Sequence, residues 1–171
     1  LLPGIYWIGG GGFSTSNDGS VISVAGGSTP SSLAACHASL ASCDAAGGVL
    51  VYNSKLPTAA AGPINLGGGG ATLKLLPYDY LFGDDAIDLV IFQDRTVCLD
   101  ASLNGSNANA SYVRGIVYVP CGEVVVNGST SVFTMDQVIA DTFKINGSGG
   151  TVNVLRETGV DAEISGVGLV E

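Results

Sequence analysis

Charge is scarce in this sequence, and positive charge is the scarcer kind. Only 12% of the 171 residues are charged, and six Lys and Arg stand against 15 Asp and Glu, which gives a formal net charge of −9 at pH 7. Proteins that bind a phosphate backbone cluster their basic side chains on one surface, and six scattered ones cannot do this. The composition therefore excludes nucleic acid as a partner.

Long apolar runs are missing as well. No stretch reaches the roughly 18 to 20 apolar residues of a membrane helix, and no charged segment followed by an apolar one marks a signal peptide. Abundant Ser, Thr, Asn and Gly are typical of secreted and cell-surface β proteins, so we expect an extracellular location. Because the sequence opens without Met on strand-like residues, we expect residues 1–171 to form one domain that is a processed or excised part of a longer protein.

Helix-forming sequence is nearly absent, whereas short β-type runs recur from end to end. Residues 31–43 alone have the composition of a small helix, which we expect as an insertion. The β-type runs are separated by Gly, Asn, Ser, Asp and Pro, as strands joined by tight turns are. With 46% apolar residues the chain has enough side chains for a hydrophobic core. The sequence thus predicts an all-β domain.

The tripeptide Asn-Gly-Ser occurs three times, at Asn104, Asn127 and Asn146, each time directly after a β-type run. Repeats about 20 residues apart are typical of stacked architectures. A second set of runs alternates with these, so the spacing predicts a right-handed parallel β-helix (solenoid) of roughly seven rungs. The three Asn side chains would then form a ladder at one turn. An antiparallel sandwich is the rival fold, because hairpins also use Asn-Gly.

The four cysteines fit the same arrangement. Cys98 and Cys121 are 23 residues apart, which is also the offset between the first two Asn-Gly-Ser copies. Adjacent strands lie about 4.8 Å apart, within reach of a disulfide. We therefore predict a Cys98–Cys121 bond and a local Cys36–Cys43 bond across the insertion. Zinc bound by the cysteines with His37 is the alternative, although no C-x2-C pair is present.

Five strings follow one another along nearly the whole chain: LPGIYW (2–7) with GGGFS (10–14), GVLVYN (48–53), VIFQDR (90–95), GIVYVP (115–120) and QVIAD (137–141). Together they resemble the C-terminal region of TadG-like proteins, which are associated with bacterial tight-adherence (Tad, Flp-type) pili. The resemblance implies a cell-surface or pilus-associated protein whose N-terminal part would carry a membrane helix. It implies no catalytic residues.

The acidic run of Asp84, Asp85 and Asp88 is the candidate metal site, because clustered carboxylates near a glycine can bind Ca²⁺. The run matches no EF-hand loop, and a solvated acidic turn is the simpler interpretation. Asp94 and Arg95 could act as acid and base in a calcium-dependent enzyme that cleaves polysaccharide. We favour the interpretation that this pair caps a strand end.

His37 is the sole histidine, so a catalytic triad would have to use it. No G-x-S-x-G nucleophile elbow accompanies it, which favours a structural histidine.

Two further groups have both a functional and a structural interpretation. Clustered aromatic residues form either a sugar-binding or protein-binding edge or part of the core; they are Tyr6, Trp7, Tyr78, Tyr80 and Phe82. Four asparagines fit the N-glycosylation pattern, although a turn function also explains them; they are Asn104, Asn109, Asn127 and Asn146.

The sequence therefore favours a structural protein over an enzyme. We expect an extracellular structural or adhesive module of a pilus or surface filament, able to assemble end to end. Its partners would be other filament subunits or copies of itself, with a glycan or surface receptor as a further partner. We expect no cofactor other than Ca²⁺. The alternative function is Ca²⁺-dependent carbohydrate binding or polysaccharide cleavage by a β-helix.

Overall fold

A computed structural model of the chain describes residues 1–2, 4–15, 19–23, 48–68, 71–78, 89–105, 111–128, 132–147 and 150–154. Within these ranges the protein is all-β, without a helix, and its strands form one nearly closed, barrel-like sheet. The strands are β1 (Gly4–Gly9), β2 (Phe13–Ser14), β3 (Val21–Ile22), β4 (Val49–Ser54), β5 (Ile64–Leu66), β6 (Leu73–Leu75), β7 (Leu89–Gln93), β8 (Ala101–Gly105), β9 (Ser111–Gly128), β10 (Val132–Asn146) and β11 (Thr151–Val154).

Every pairing between these strands is parallel, and the pairings fall into three columns. Column 1 runs through β1, β4, β7 and the middle of β9 and β10. Column 2 runs through β2, β5, β8 and the C-terminal parts of β9 and β10. Column 3 runs through β3, β6, the N-terminal parts of β9 and β10, and β11. The chain visits columns 1, 2 and 3 in turn, five times over.

The parallel pairing excludes the antiparallel sandwich for the described residues. Parallel strands cannot be joined by a tight hairpin, and here each chain segment returns to the same column only after passing through the other two. The one antiparallel contact in these ranges is an isolated bridge between Leu56 and Ala59. The all-β prediction is therefore confirmed, and so is the alternation of two sets of runs, to which the structure adds a third.

The columns hold five described strands each, fewer than the roughly seven rungs predicted from the spacing. Long connections in the first half of the chain explain the difference. In column 1, Val51 pairs with Ile91, 40 positions later, whereas Val117 pairs with Val138, only 21 positions later. The predicted helical insertion, with Cys36, His37 and Cys43, lies outside the described residues.

The core lies between the three columns, because alternate residues of each strand point toward one another. In β9 the side chains of Val113, Val117, Val119, Val124 and Val126 are all fully buried. Each column contributes a similar row, with Ile64, Ala101 and Val124 in consecutive register in column 2. Burial of one such side chain contributes on the order of 1.5 to 3 kcal/mol to folding. The period-2 pattern of the sequence thus becomes one continuous apolar interior.

A disulfide joins Cys98 to Cys121, as the 23-residue spacing predicted, with 4.6 Å between their Cα atoms. Both residues lie in the connection from column 1 to column 2, on successive passes of the chain. The bond is typical of an oxidising environment. No helix among the described residues is long and apolar enough to cross a membrane.

Candidate functional site

The Asn-Gly-Ser repeat forms a polar corner at the end of column 2. Asn104, Asn127 and Asn146 occupy consecutive register positions. The Asn127 Nδ2 donates hydrogen bonds to the Asn104 Oδ1 and, at 3.2 Å, to the Ser102 Oγ. The Asn146 side chain, at the last position, is exposed. Two of the three predicted ladder residues are therefore joined directly, and their amides are engaged in the ladder.

Gly67 continues this corner one pass earlier. The Asn104 Nδ2 donates to the Gly67 carbonyl oxygen at 3.5 Å. Gly67 has a φ of +78°, and a Cβ there would overlap the backbone oxygen of Asn104. Glycine is required at this position because it alone adopts such a φ without cost and leaves room for the adjacent turn. The ladder therefore depends on a residue outside the Asn-Gly-Ser repeat.

Exchanging Asn127 for Asp is expected to destabilise the fold by about 1 to 3 kcal/mol. The variant loses both donated hydrogen bonds and places a carboxylate against the Asn104 Oδ1, which is also an acceptor. Urea unfolding measures the loss. Asn146→Asp is the matched control, since its exposed side chain should leave stability within about 0.5 kcal/mol of the wild type. Equal losses in the two variants would show that the ladder contributes nothing specific.

A second row, on the outer surface of column 1, consists of aromatic side chains. Trp7, Tyr52, Phe92 and Tyr118 occupy one register position on successive strands, and Ile139 follows them on β10. The Phe92 and Tyr118 rings are stacked with centroids 5.0 Å apart, and Tyr52 meets Phe92 edge to face at 5.3 Å. Trp7 is 63% exposed, and its Nε1 donates to the Ser54 Oγ. The sequence interpretation missed this row, which aligning the five strings would have revealed.

The aromatic row distinguishes column 1 from column 2. The corresponding outer row of column 2 is mostly polar, because it consists of Ser14, Asn65, Ser102, Val125 and Lys144. Aromatic pairs of this geometry contribute about 0.5 to 1.5 kcal/mol beyond their burial. However, one face of Phe92 and one face of Tyr118 lie against each other, so these two faces are not free for a sugar to stack on. The row is built to stabilise the column.

Asp94 caps the turn that follows β7, as we favoured, whereas Arg95 contacts a tyrosine of a neighbouring strand. The Asp94 Oδ1 accepts hydrogen bonds from the Thr96 backbone N at 2.7 Å and the Thr96 Oγ at 2.6 Å. These bonds, the side-chain one first, lower the pKa of Asp94. The Arg95 Nε donates to the Tyr118 hydroxyl at 2.8 Å, and the Tyr52 hydroxyl lies 3.4 Å from the Asp94 Oδ2. The Asp94 carboxylate and the Arg95 guanidinium are thus both engaged, with Thr96 and with the hydroxyls of Tyr52 and Tyr118.

A buried pair of amides lies beneath this turn, and no sequence motif indicated it. Asn53 and Gln93 are fully buried neighbours in column 1. The Asn53 Nδ2 donates to the Gln93 Oε1 at 3.0 Å and to the Gly62 carbonyl at 2.9 Å, while the Gln93 Nε2 donates to the Val97 and Leu99 carbonyls. Amides stand here in place of apolar core residues because the connections between columns bring the carbonyls of Gly62, Val97 and Leu99 inward. Buried carbonyls need hydrogen-bond donors, which the two amides supply.

The predicted aromatic edge is divided. Tyr6 packs against the core and its hydroxyl donates to the Leu2 carbonyl, whereas Trp7 points outward. Tyr78 is half-buried. The described ranges contain no group of three or more His, Cys, Asp and Glu that could hold a metal ion. The remaining predicted site residues lie outside these ranges: Tyr80, Phe82, Asp84, Asp85, Asp88 and Asn109.

Tyr112 on β9, in column 3, is buried, and we expect its ionisation to make the stability of the fold depend on pH. Burial is the main reason that its pKa is raised above 10, and the nearby Arg114 acts in the opposite direction. The ammonium group of Lys74 lies 5.9 Å from the centre of its ring. The folded protein therefore holds the Tyr112 proton more tightly than the unfolded chain does.

Stability should therefore fall as the pH rises above about 10, because the unfolded chain releases the Tyr112 proton first. The contribution is fully present below pH 10 and is lost as the pH rises through the folded-state pKa. Tyr112→Phe should unfold with a shallower pH dependence in this window. Denaturant midpoints of the two proteins at pH 8 to 11 measure the slope. Parallel slopes would show that Tyr112 titrates alike in both states.

Comparison with known proteins finds no matching family model, no matching curated protein and no matching solved structure.

Proposed function

We propose that the three columns are the faces of a right-handed parallel β-helix and that the chain is an extracellular structural module of a pilus or surface filament. The observation that carries the proposal is the register of the columns: five strands pair in parallel in each, around one shared core. The right-handed coil follows from the strong preference of parallel crossover connections for that hand. Such a coil is a stiff rod, which is what a filament subunit needs.

The disulfide supports this function as well as an extracellular location. The Cys98–Cys121 bond ties two successive passes of the chain together just before their column 2 strands begin. A covalent link between neighbouring strands resists their separation under a pulling force. Disulfides persist in oxidising compartments, where surface filaments are assembled. The low content of charge agrees with a surface module that binds neither nucleic acid nor other strongly charged partners.

The alternative function, calcium-dependent binding or cleavage of carbohydrate, has less support. In the aromatic row, rings pack on rings, and Asp94 and Arg95 are engaged in a turn. A polysaccharide-binding surface instead needs free ring faces beside unengaged polar groups. We therefore put the structural function first.

Shearing surface filaments from cells of the source organism tests the proposal. An antibody against this chain should label intact cells and detect the chain in the sheared filament fraction, while a cytoplasmic marker protein stays with the cells. Deleting residues 1–171 from the gene should reduce attachment of the cells to surfaces. Recovery of the chain from the cytoplasm alone, with attachment unchanged, would contradict the proposal.

A further inference from the structure

Among the described residues, the last strands of the three columns carry exposed apolar side chains in core register. Phe143 and Ile145 continue the inward rows of Val124 and Val126, which are fully buried, yet they are 40% and 53% exposed. Val154 continues the row of the buried Met135 and is 51% exposed. Apolar side chains in core register, but exposed to this extent, mark a surface that a partner covers. We call this surface, formed by 137–146 of β10 and by β11, the trailing end.

The opposite end, formed by β1 and β2, is the leading end; the neighbouring β3 is already covered, because the Leu1 backbone N donates to the Ile22 carbonyl at 2.6 Å and Val21 is 4% exposed. The inward side chains Tyr6, Ile8 and Phe13 are half-buried against the core, while Ile5 and Trp7 point outward and are 46% and 63% exposed. Within the described residues, β1 and β2 pair on one side only, as do 137–146 of β10 and all of β11. A strand edge of this kind is a template for a further strand.

We propose that the trailing end of one copy binds the leading end of a second copy, so that columns 1 and 2 continue in parallel across the junction. This inference deepens the filament function proposed above, on which it rests, by naming the partner and the surface. The register already present in the columns sets the contacts. The last residue of an inward row, at the trailing end of one copy, would meet the first residue of the same row, at the leading end of the next copy.

The rows are complementary at this junction. Val138 of one copy would meet Tyr6 of the next, because Tyr6, Val51, Ile91, Val117 and Val138 form one row. By the same continuation Phe143 would meet Phe13, and Ile139 would extend the aromatic row onto Trp7. All three contacts pair largely apolar side chains.

The charge at the junction also permits this contact. Lys144 is the charged residue of the trailing end's column 2, and its row begins at the neutral Ser14, so the continued register brings no like charges together there. The net charge of −9 opposes association over a longer range, and salt screens that repulsion. Association should therefore become stronger as salt is added. A junction held by ion pairs would weaken instead.

A contact between two different surfaces does not close on itself. Head-to-tail association of this kind forms open chains, whereas a contact between two identical surfaces stops at a dimer. The wild-type chain should therefore show a weight-average mass in sedimentation velocity that rises through dimer, trimer and larger species as its concentration increases.

Two variants, each blocking one end, make the test specific. Phe143→Asp places a carboxylate in the trailing end, and the double variant Ile5→Asp, Trp7→Asp places two carboxylates on the outer surface of β1. Each variant should associate roughly 30-fold more weakly than the wild type, as expected for the loss of a central apolar contact. An equimolar mixture should form a heterodimer and nothing larger, because one variant keeps its leading end free and the other its trailing end.

Three outcomes would overturn the proposal. A wild-type mass that stops at the dimer would show a closed contact. A mixture of variants no more associated than either variant alone would show that these two ends do not meet. A wild type that stays monomeric at every concentration and salt, with Phe143→Asp markedly less stable, would show that the chain's own residues cover the trailing end. In that last case the filament function would still stand if the chain were found in sheared filaments.

Discussion

Exchanging Phe133 for Ala is expected to lower the free energy of unfolding by about 3 to 5 kcal/mol. Phe133 is fully buried in the inward row of column 3, between Ser111 on β9 and Val152 on β11. It also fills the space beside Gly105, where an added Cβ would lie 3.0 Å from the Phe133 ring. The columns around it are fixed by backbone pairing, so they cannot collapse to fill the cavity. Denaturant unfolding at low protein concentration measures the loss.

Phe143→Ala is the matched control for this prediction. It makes the same substitution in an equivalent inward row, but Phe143 is 40% exposed at the trailing end. Because much of its surface already contacts water, the loss should be about 1 to 2 kcal/mol in the monomer. If both variants lost equal stability, Phe143 would be as well covered as Phe133, and the trailing end would not be open.

Replacing Cys98 and Cys121 together by serine is expected to cost about 3 kcal/mol, the value for a disulfide that closes a loop of this length. The bond spans 23 residues and restricts the unfolded chain, so its removal makes unfolding more favourable. The effect should appear as a lower denaturant midpoint.

Reductant separates this bond from the one predicted between Cys36 and Cys43. Reduction should destabilise the wild type by about 3 kcal/mol more than it destabilises the double serine variant. Any loss that reductant causes in the double variant reports on the remaining cysteines. Wild type and variant with the same stability under oxidising conditions would show that the Cys98–Cys121 bond does not stabilise the fold.

Spacing in the sequence was informative wherever the connections between strands are short. From Leu89 onward, paired residues on successive strands of a column are 19 to 27 positions apart, and Asn104 and Asn127 share the 23-residue offset of the two cysteines. In the first half of the chain the connections between strands are longer, so paired strands are not separated by a constant number of residues from which the repeat could be predicted. That is why column 3, which contributes only two or three residues per pass there, was missed.

Side-chain rows could be predicted less well than strands. The Asn ladder was visible because identical residues repeat, but the aromatic row uses different residue types, Trp7, Tyr52, Phe92 and Tyr118, and becomes visible only when their strings are aligned. The amide pair Asn53 and Gln93 gave no signal at all. Their burial depends on carbonyls brought in from other parts of the chain, and single strings carry no information about these contacts.

The sequence by itself determined that this protein is all-β, that its strands stack at repeated offsets, and that Cys98 and Cys121 lie side by side. These features are local or periodic, so alternation, turn residues and spacing are sufficient to specify them. Only the tertiary structure decided which rows face inward, that there are three columns, and that the core is open at Phe143 and Ile145. The exposure of these two side chains depends on which strands pack beside β10, and that is set by the arrangement of all the strands and not by the sequence of any one of them.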